Sequence, residues 1–169
     1  MICKRDVMWS RCKSLIIQFV HAKTNDEWFG TRIKFFTMED GLAMAKKLQR
    51  PIMVIVHHEL CEACRAFRPL ISNSTPIVEL SSYFVMVGVE EEFVPEMLKI
   101  DGNYTPKVIF LSPDGQVQPQ FFNRFGNPRY KYFYHNDRSV LFTMKRVLTF
   151  YPPPCEETRP CYYHGGGHH

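Results

Sequence analysis

The run Pro51-Ile52-Met53-Val54-Ile55-Val56 constrains the fold more than any other stretch of the chain. A strand with one wet face alternates apolar and polar residues, and this run does not. It reads as a strand buried on both faces, the pattern of a central strand in an α/β sheet. A short loop from His57 to Leu60 follows, and then Cys61-Glu62-Ala63-Cys64 opens a predicted helix that reaches about Ser72. Pro69 is expected to kink that helix.

The flanking elements follow from the same reasoning. Thr37 ahead of Glu39 and Asp40 reads as a helix N-cap with acids in the first turn. That helix runs to about Gln49, with Met38, Leu42, Ala45 and Leu48 on one face. Residues 23–36 read as a polar-to-aromatic lead-in. Pro76 to Leu80 forms a short helical piece, and Tyr83 to Val89 is a second apolar strand. Lys107 to Leu111 is a third strand. The turn signal Ser112-Pro113-Asp114-Gly115 leads to Gln116–Pro119 as a hairpin partner. Tyr130 to Tyr134 closes an aromatic loop that reads as core packing rather than a partner surface. Asn136 or Asp137 caps a last helix through about Leu148, which Tyr151-Pro152-Pro153-Pro154 ends. The order of elements gives an α/β fold, a central mixed β-sheet flanked by helices.

The chain has 169 residues, which suits one domain with extensions. We place the domain at residues 23–150, with a tail at 151–169 rich in Pro, Gly and His that reads as disordered. The net charge of +4 is scattered and too weak to point to nucleic acid. No stretch approaches the roughly 20 apolar residues of a membrane span. Lys4, Arg5, Arg11 and Lys13 precede the apolar Leu15–Val20, and Val20-His21-Ala22 resembles a cleavage site. Residues 1–22 are therefore either a signal peptide or a flexible extension.

Of six cysteines, only Cys61 and Cys64 lie within a patterned region; Cys3, Cys12, Cys155 and Cys161 lie near the ends. A helix N-terminus presents unpaired N–H groups and partial positive charge, and both favour a thiolate. The thiolate is the nucleophile of disulfide exchange. Cys61 is thus assigned as nucleophile and Cys64, one turn on, as the resolving thiol. Two other readings stay open: buried structural cysteines, or half of a zinc site. The spacing of Cys155 and Cys161 fits a zinc site poorly, as does the strand-end pair His57 and His58, so no metal is assigned. Glu59 and Glu62 disfavour a thiolate at Cys61, while Arg65, Arg68, His57 and His58 favour it. Cys61 is accordingly expected to be less acidic than the thiol of a strong oxidant. On residues alone, Thr105-Pro106 is a trans proline at a strand start.

Several segments together resemble the thioredoxin-domain-containing protein 12 and anterior-gradient family. They are Met38-Glu39-Asp40-Gly41, the run from Pro51 to His57 with its CxxC, the segment Asn103–Gly115, and Gly126–Tyr134. The similarity covers about residues 28–150. It implies a thioredoxin-like fold, with a cis Thr105–Pro106 bond facing the cysteines and Thr105 helping to bind the substrate chain. It implies thiol–disulfide exchange on unfolded or cysteine-containing client proteins, with glutathione or a partner oxidoreductase recycling the pair. No cofactor is implied beyond the redox-active Cys61–Cys64 disulfide. It also implies residence in the endoplasmic reticulum lumen, or secretion; a cytoplasmic protein remains the reading if residues 1–22 are not a signal. The buried acid of thioredoxin is absent in that family, and Ile55 stands at its position here. Leu60 replaces the usual Trp, and Glu62-Ala63 replaces the usual Gly-Ala, which bears on rate and potential. The sequence ends Gly165-Gly166-Gly167-His168-His169 rather than in a retention tetrapeptide, so secretion, retention by a partner and truncation all stay open. The competing reading is a non-catalytic client-binding module of the same fold.

Overall fold

A computed structural model describes residues 26–153. The readings for residues 1–22, for Cys3, Cys12, Cys155 and Cys161, and for nearly all of the tail lie outside the described residues.

Strand β2 (Ile52–His57) is the axis of the molecule, and all six of its residues are buried. It pairs in parallel with β3 (Val85–Glu90) on one side and antiparallel with β4 (Lys107–Leu111) on the other. The edge strand β1 (Phe35–Phe36) pairs in parallel with β3, giving the order β1-β3-β2-β4. Strand alternation divides the core in two. Met53, Ile55, Met86, Val108 and Phe110 face one helical layer, with Phe67, Ile71, Met144 and Val147. Ile52, Val54, Val56, Val85, Val87, Ile109 and Leu111 face the other, with Met44 and Ala45. Both faces of the sheet are covered, which is why the central strands carry no polar alternation.

Helix α1 (Asp26–Phe29) and strand β1 occupy the segment expected to be only a lead-in. Two residues are too few to show a period; Phe35 and Phe36 are a strand because β3 offers them an edge to pair with. Helix α2 (Met38–Leu48) begins at Thr37, whose Oγ1 accepts the Asp40 N–H at 3.3 Å. Its most buried residues are Gly41, Met44 and Ala45, with Met38, Leu42 and Leu48 packed at the flanks. Helix α3 (Glu62–Ser72) continues through Pro69. Helix α4 (Thr75–Ser81) follows after two residues, and Ser74 Oγ ties it to Asp137 at 3.1 Å. Helix α5 (Asp137–Phe150) is capped by Asn136, which accepts the Ser139 N–H at 2.8 Å.

The expected hairpin after β4 is present in reduced form. Gly115 turns with φ of 83°, Ser112 Oγ accepts the Gln116 N–H, and a single bridge joins Leu111 to Val117. In the aromatic loop, Tyr132 and Tyr134 are buried, while Tyr130 is exposed. No helix among the described residues is long and apolar enough to cross a membrane.

Candidate active site

Strand β2 delivers the chain to the C-terminal edge of the sheet at His57. A tight turn follows: the Cys61 N–H donates to the His58 carbonyl at 3.1 Å, and the Leu60 N–H donates to His58 Nδ1 at 3.2 Å. This turn sets Cys61 in extended backbone as the N-cap of α3. N-caps are usually oxygen acceptors. Here the Cys61 sulfur takes that place and accepts the Cys64 N–H at 3.4 Å. The partial positive charge of the helix start is thereby directed at the thiol.

From the other side comes the segment before β4. The Thr105–Pro106 bond is cis, Pro106 is buried, and the Thr105 carbonyl accepts from the Cys61 thiol at 3.7 Å. Cys61 is half-buried, Cys64 is fully buried, and both are free thiols. The structure thus brings Cys61, Cys64, Thr105 and Pro106 together. Glu62 and Ala63 are exposed on the first turn of α3.

The two thiols are pushed apart in acidity. For Cys61, burial works against ionisation, but hydrogen bonds from the Thr105 side chain, from Cys64 and from the Ala63 N–H outweigh it and hold the thiol below its ordinary value. For Cys64, burial dominates, and with the neighbouring Cys61 it raises the thiol to about 11. The pair therefore divides into an ionisable thiol at the surface and a protonated one beneath it. The charges that the sequence weighs around Cys61 contribute little here: the causes are burial and hydrogen bonds, not Glu59, Glu62, Arg65 or Arg68.

A cleft of about 210 Å³ adjoins the site. Thr105 forms one wall, with Val56, Val94, Leu98 and Tyr104 among the others. No group of three or more His, Cys, Asp or Glu side chains among the described residues is placed to hold a metal ion.

The comparisons with known proteins agree with this geometry. A family profile described as thioredoxin-like matches residues 33–113. The chain is 31% identical to anterior gradient protein 3 of Mus musculus over 113 residues, 66% of this chain and 68% of that protein. It is 31% identical to anterior gradient protein 1 of Xenopus laevis over 130 residues, 76% of this chain and 71% of that one. The chain belongs to the anterior gradient family.

Similarity to anterior gradient protein 3 of Xenopus tropicalis is higher, at 35%, but spans only 59% of that relative's length and 57% of this chain. Among solved structures, a thioredoxin from Thermus thermophilus superimposes with a TM-score of 0.51 at 20% identity, covering 69% of this chain and 88% of that one. That likeness establishes the thioredoxin-like fold.

In this anterior-gradient chain, two features of the site escaped the sequence reading. His57 is the last residue of β2, buried, stacked on Trp28 at 4.2 Å and edge-on to Phe29. It ends an apolar run and so reads as the first residue of a loop. Lys107 is also buried, and its ammonium donates to the carbonyls of Ile100 and Gly102. A lysine opening a strand gives no sign that it points back into the preceding loop.

Proposed function

We propose that this protein is a thiol–disulfide oxidoreductase acting on cysteine-containing client proteins of the secretory pathway through Cys61 and Cys64. The observation that carries the reading is the Cys61 sulfur, seated as the cap of α3 and facing the Thr105 carbonyl at 3.7 Å. The thiol most able to ionise is also the one with access to solvent.

In the reductive direction, the Cys61 thiolate attacks one sulfur of a client disulfide. The client S–S bond breaks, a Cys61–client disulfide forms, and a client thiolate leaves. Cys64 then loses its proton and attacks the Cys61 sulfur, releasing the second client thiolate. The client gains two electrons and, after protonation, two thiols; the protein is left with a Cys61–Cys64 disulfide. Run backwards, the same steps form a disulfide in the client. Glutathione or a partner oxidoreductase returns the pair to its starting state. Residence in the endoplasmic reticulum lumen, or secretion, belongs to this proposal and rests on the family resemblance and on the signal-like residues 1–22. Mass spectrometry of the mature chain tests it, since a protein whose residues 1–22 are not a signal would keep Cys3 and Cys12 intact.

The test of the chemistry is equilibration in glutathione buffers, followed by alkylation and mass measurement. A reversible two-electron couple is expected. A pair that never oxidises removes the enzyme reading.

A second reading, a client-binding module without turnover, is favoured by one observation. Leu60, immediately before Cys61, is 79% exposed and offers an apolar contact beside the site. The two readings separate in a Cys64→Ser variant. Accumulated Cys61–client mixed disulfides support exchange chemistry, whereas client retention that survives alkylation of Cys61 supports the binding module.

A further inference from the structure

The Thr105 carbonyl and side chain reach Cys61 from a segment with no regular structure. Strand β4 begins at Lys107 and takes its register from β2 only from that point on. The preceding residues, 99–106, have no ladder to hold them. Their placement depends on side chains.

Three side chains fix this loop. Lys107 turns back inside it and donates to the carbonyls of Ile100 and Gly102, with its ammonium over the Tyr104 ring at 4.8 Å. Asp101 adopts the left-handed conformation with φ of 61°, which swings its carboxylate toward the aromatic loop. There Asp101 Oδ2 accepts from the Tyr104 hydroxyl at 2.5 Å and from the Lys131 N–H at 2.6 Å. The Tyr104 oxygen in turn accepts the Tyr132 N–H at 3.0 Å. The far side of this clamp is itself anchored, since the Val108 N–H donates to the Tyr132 carbonyl at 2.9 Å. Tyr104 is the residue immediately before Thr105.

The phenol is kept protonated. Burial and then the hydrogen bond to Asp101 push Tyr104 far above its ordinary range, so the hydroxyl donates at every physiological pH. A charge-assisted O–H···O⁻ contact of this length is among the stronger hydrogen bonds a protein makes. One carboxylate therefore joins three parts of the chain: its own turn, Tyr104 and Lys131.

We propose that Asp101 and Tyr104 are positioning residues for Cys61, clamping the loop so that Thr105 is held against the reactive sulfur. The clamp acts through Thr105 and touches neither cysteine. The inference rests on the thiol-exchange reading for its purpose, but not for its test. Loosening the clamp lets Thr105 drift, and the Cys61 thiolate loses the hydrogen bond from the Thr105 side chain.

The experiment compares three full-length proteins: wild type, Tyr104→Phe and Tyr134→Phe. Tyr134 is the control, because its hydroxyl also makes one buried hydrogen bond, to Thr143 at 3.2 Å, on the α5 side of the core. The first readout is the pH profile of Cys61 alkylation. Tyr104→Phe is expected to raise the apparent pKa of Cys61 by about half a unit, roughly a threefold loss of thiolate below the pKa. Tyr134→Phe is expected to lower the melting temperature without moving the profile. Asp101→Asn, which keeps an acceptor for Lys131, should shift the profile in the same direction by a smaller amount. The proposal fails if Tyr104→Phe leaves the profile where wild type has it, or if Tyr134→Phe moves it equally. The second readout is the glutathione equilibrium of the Cys61–Cys64 pair. If wild type does not oxidise reversibly, the exchange reading falls, while the alkylation profiles still decide whether the clamp positions Cys61.

Discussion

At the scale of single residues, His57 is unusual in what surrounds it. Its ring is buried against Trp28 and Phe29, and neither nitrogen has a hydrogen-bond partner among the described residues. Burial, with a further contribution from the charge of His58, lowers its pKa to about 4 from 6.5. The folded protein therefore holds His57 neutral where the unfolded chain would already bind a proton. As the pH falls from 6.5 toward 4, protonation of the unfolded state draws the equilibrium toward unfolding; below 4 both states are charged and the effect levels off. The full difference corresponds to about 3 kcal/mol. Urea unfolding at pH 7, 5.5 and 4 should show wild type losing more stability than His57→Leu by an amount of that order. Parallel losses in the two proteins would remove His57 as the source. At this scale the CxxC spacing after an apolar run singled out Cys61 and Cys64 as the pair to weigh, while leaving structural cysteines and half of a zinc site open as other readings. Thr105 and Pro106 came only with the family resemblance, and the Asp101–Tyr104 contacts were not legible, since they lie in an irregular loop with no period to read.

At the scale of elements, α2 and β3 meet at a glycine. A Cβ built on Gly41 would overlap Val87 Cγ2, so the helix lies against the sheet only because that atom is missing. Two effects oppose each other in Gly41→Ala. Alanine gains about 1 kcal/mol of helix propensity. Forcing a methyl group into a closed contact costs about 1–3 kcal/mol. Val87 lies at the centre of β3 and is fully buried, which leaves it little room to yield. The net expectation is a loss of about 1 kcal/mol, seen as a lower urea midpoint with an unchanged slope. A gain in stability would show that helix and sheet separate easily. Elements were legible in proportion to how much of their identity is local. Helix α2 has its Thr37 cap, α5 has Asn136, and β2 and β4 are built on the apolar runs 52–56 and 108–111. Strand β1 has no such local mark, and the partner of β4 shrinks to a single bridge because only Leu111 and Val117 come into register.

At the scale of the whole molecule, the division between the two thiols ties site chemistry to global stability. Cys61 lies at the surface end of α3, whereas Cys64 points down from the same helix toward the core and has no exposed surface. Its thiol is raised to about 11, chiefly by burial. An alkylating reagent at pH 8 should therefore modify Cys61 quickly and Cys64 only through opening of the structure. Relative to an ordinary thiol near 8.5, the shift alone lowers the thiolate fraction by roughly two orders of magnitude. Exclusion of the reagent adds to that. After Cys61 is blocked, the rate at Cys64 reports whichever opening exposes it at least cost. Helix α3 is pinned beneath by Phe67 and Ile71, both in the main core, and α1 packs against it through Trp28 and Arg68. Lifting Cys64 out thus requires breaking the core rather than fraying one turn. The alkylation rate should rise with urea along a slope approaching that of global unfolding. A rate insensitive to urea would mean that the first turn of α3 opens by itself. In that case access of reagent to Cys64 is set by a local motion of α3 and not by the rest of the fold.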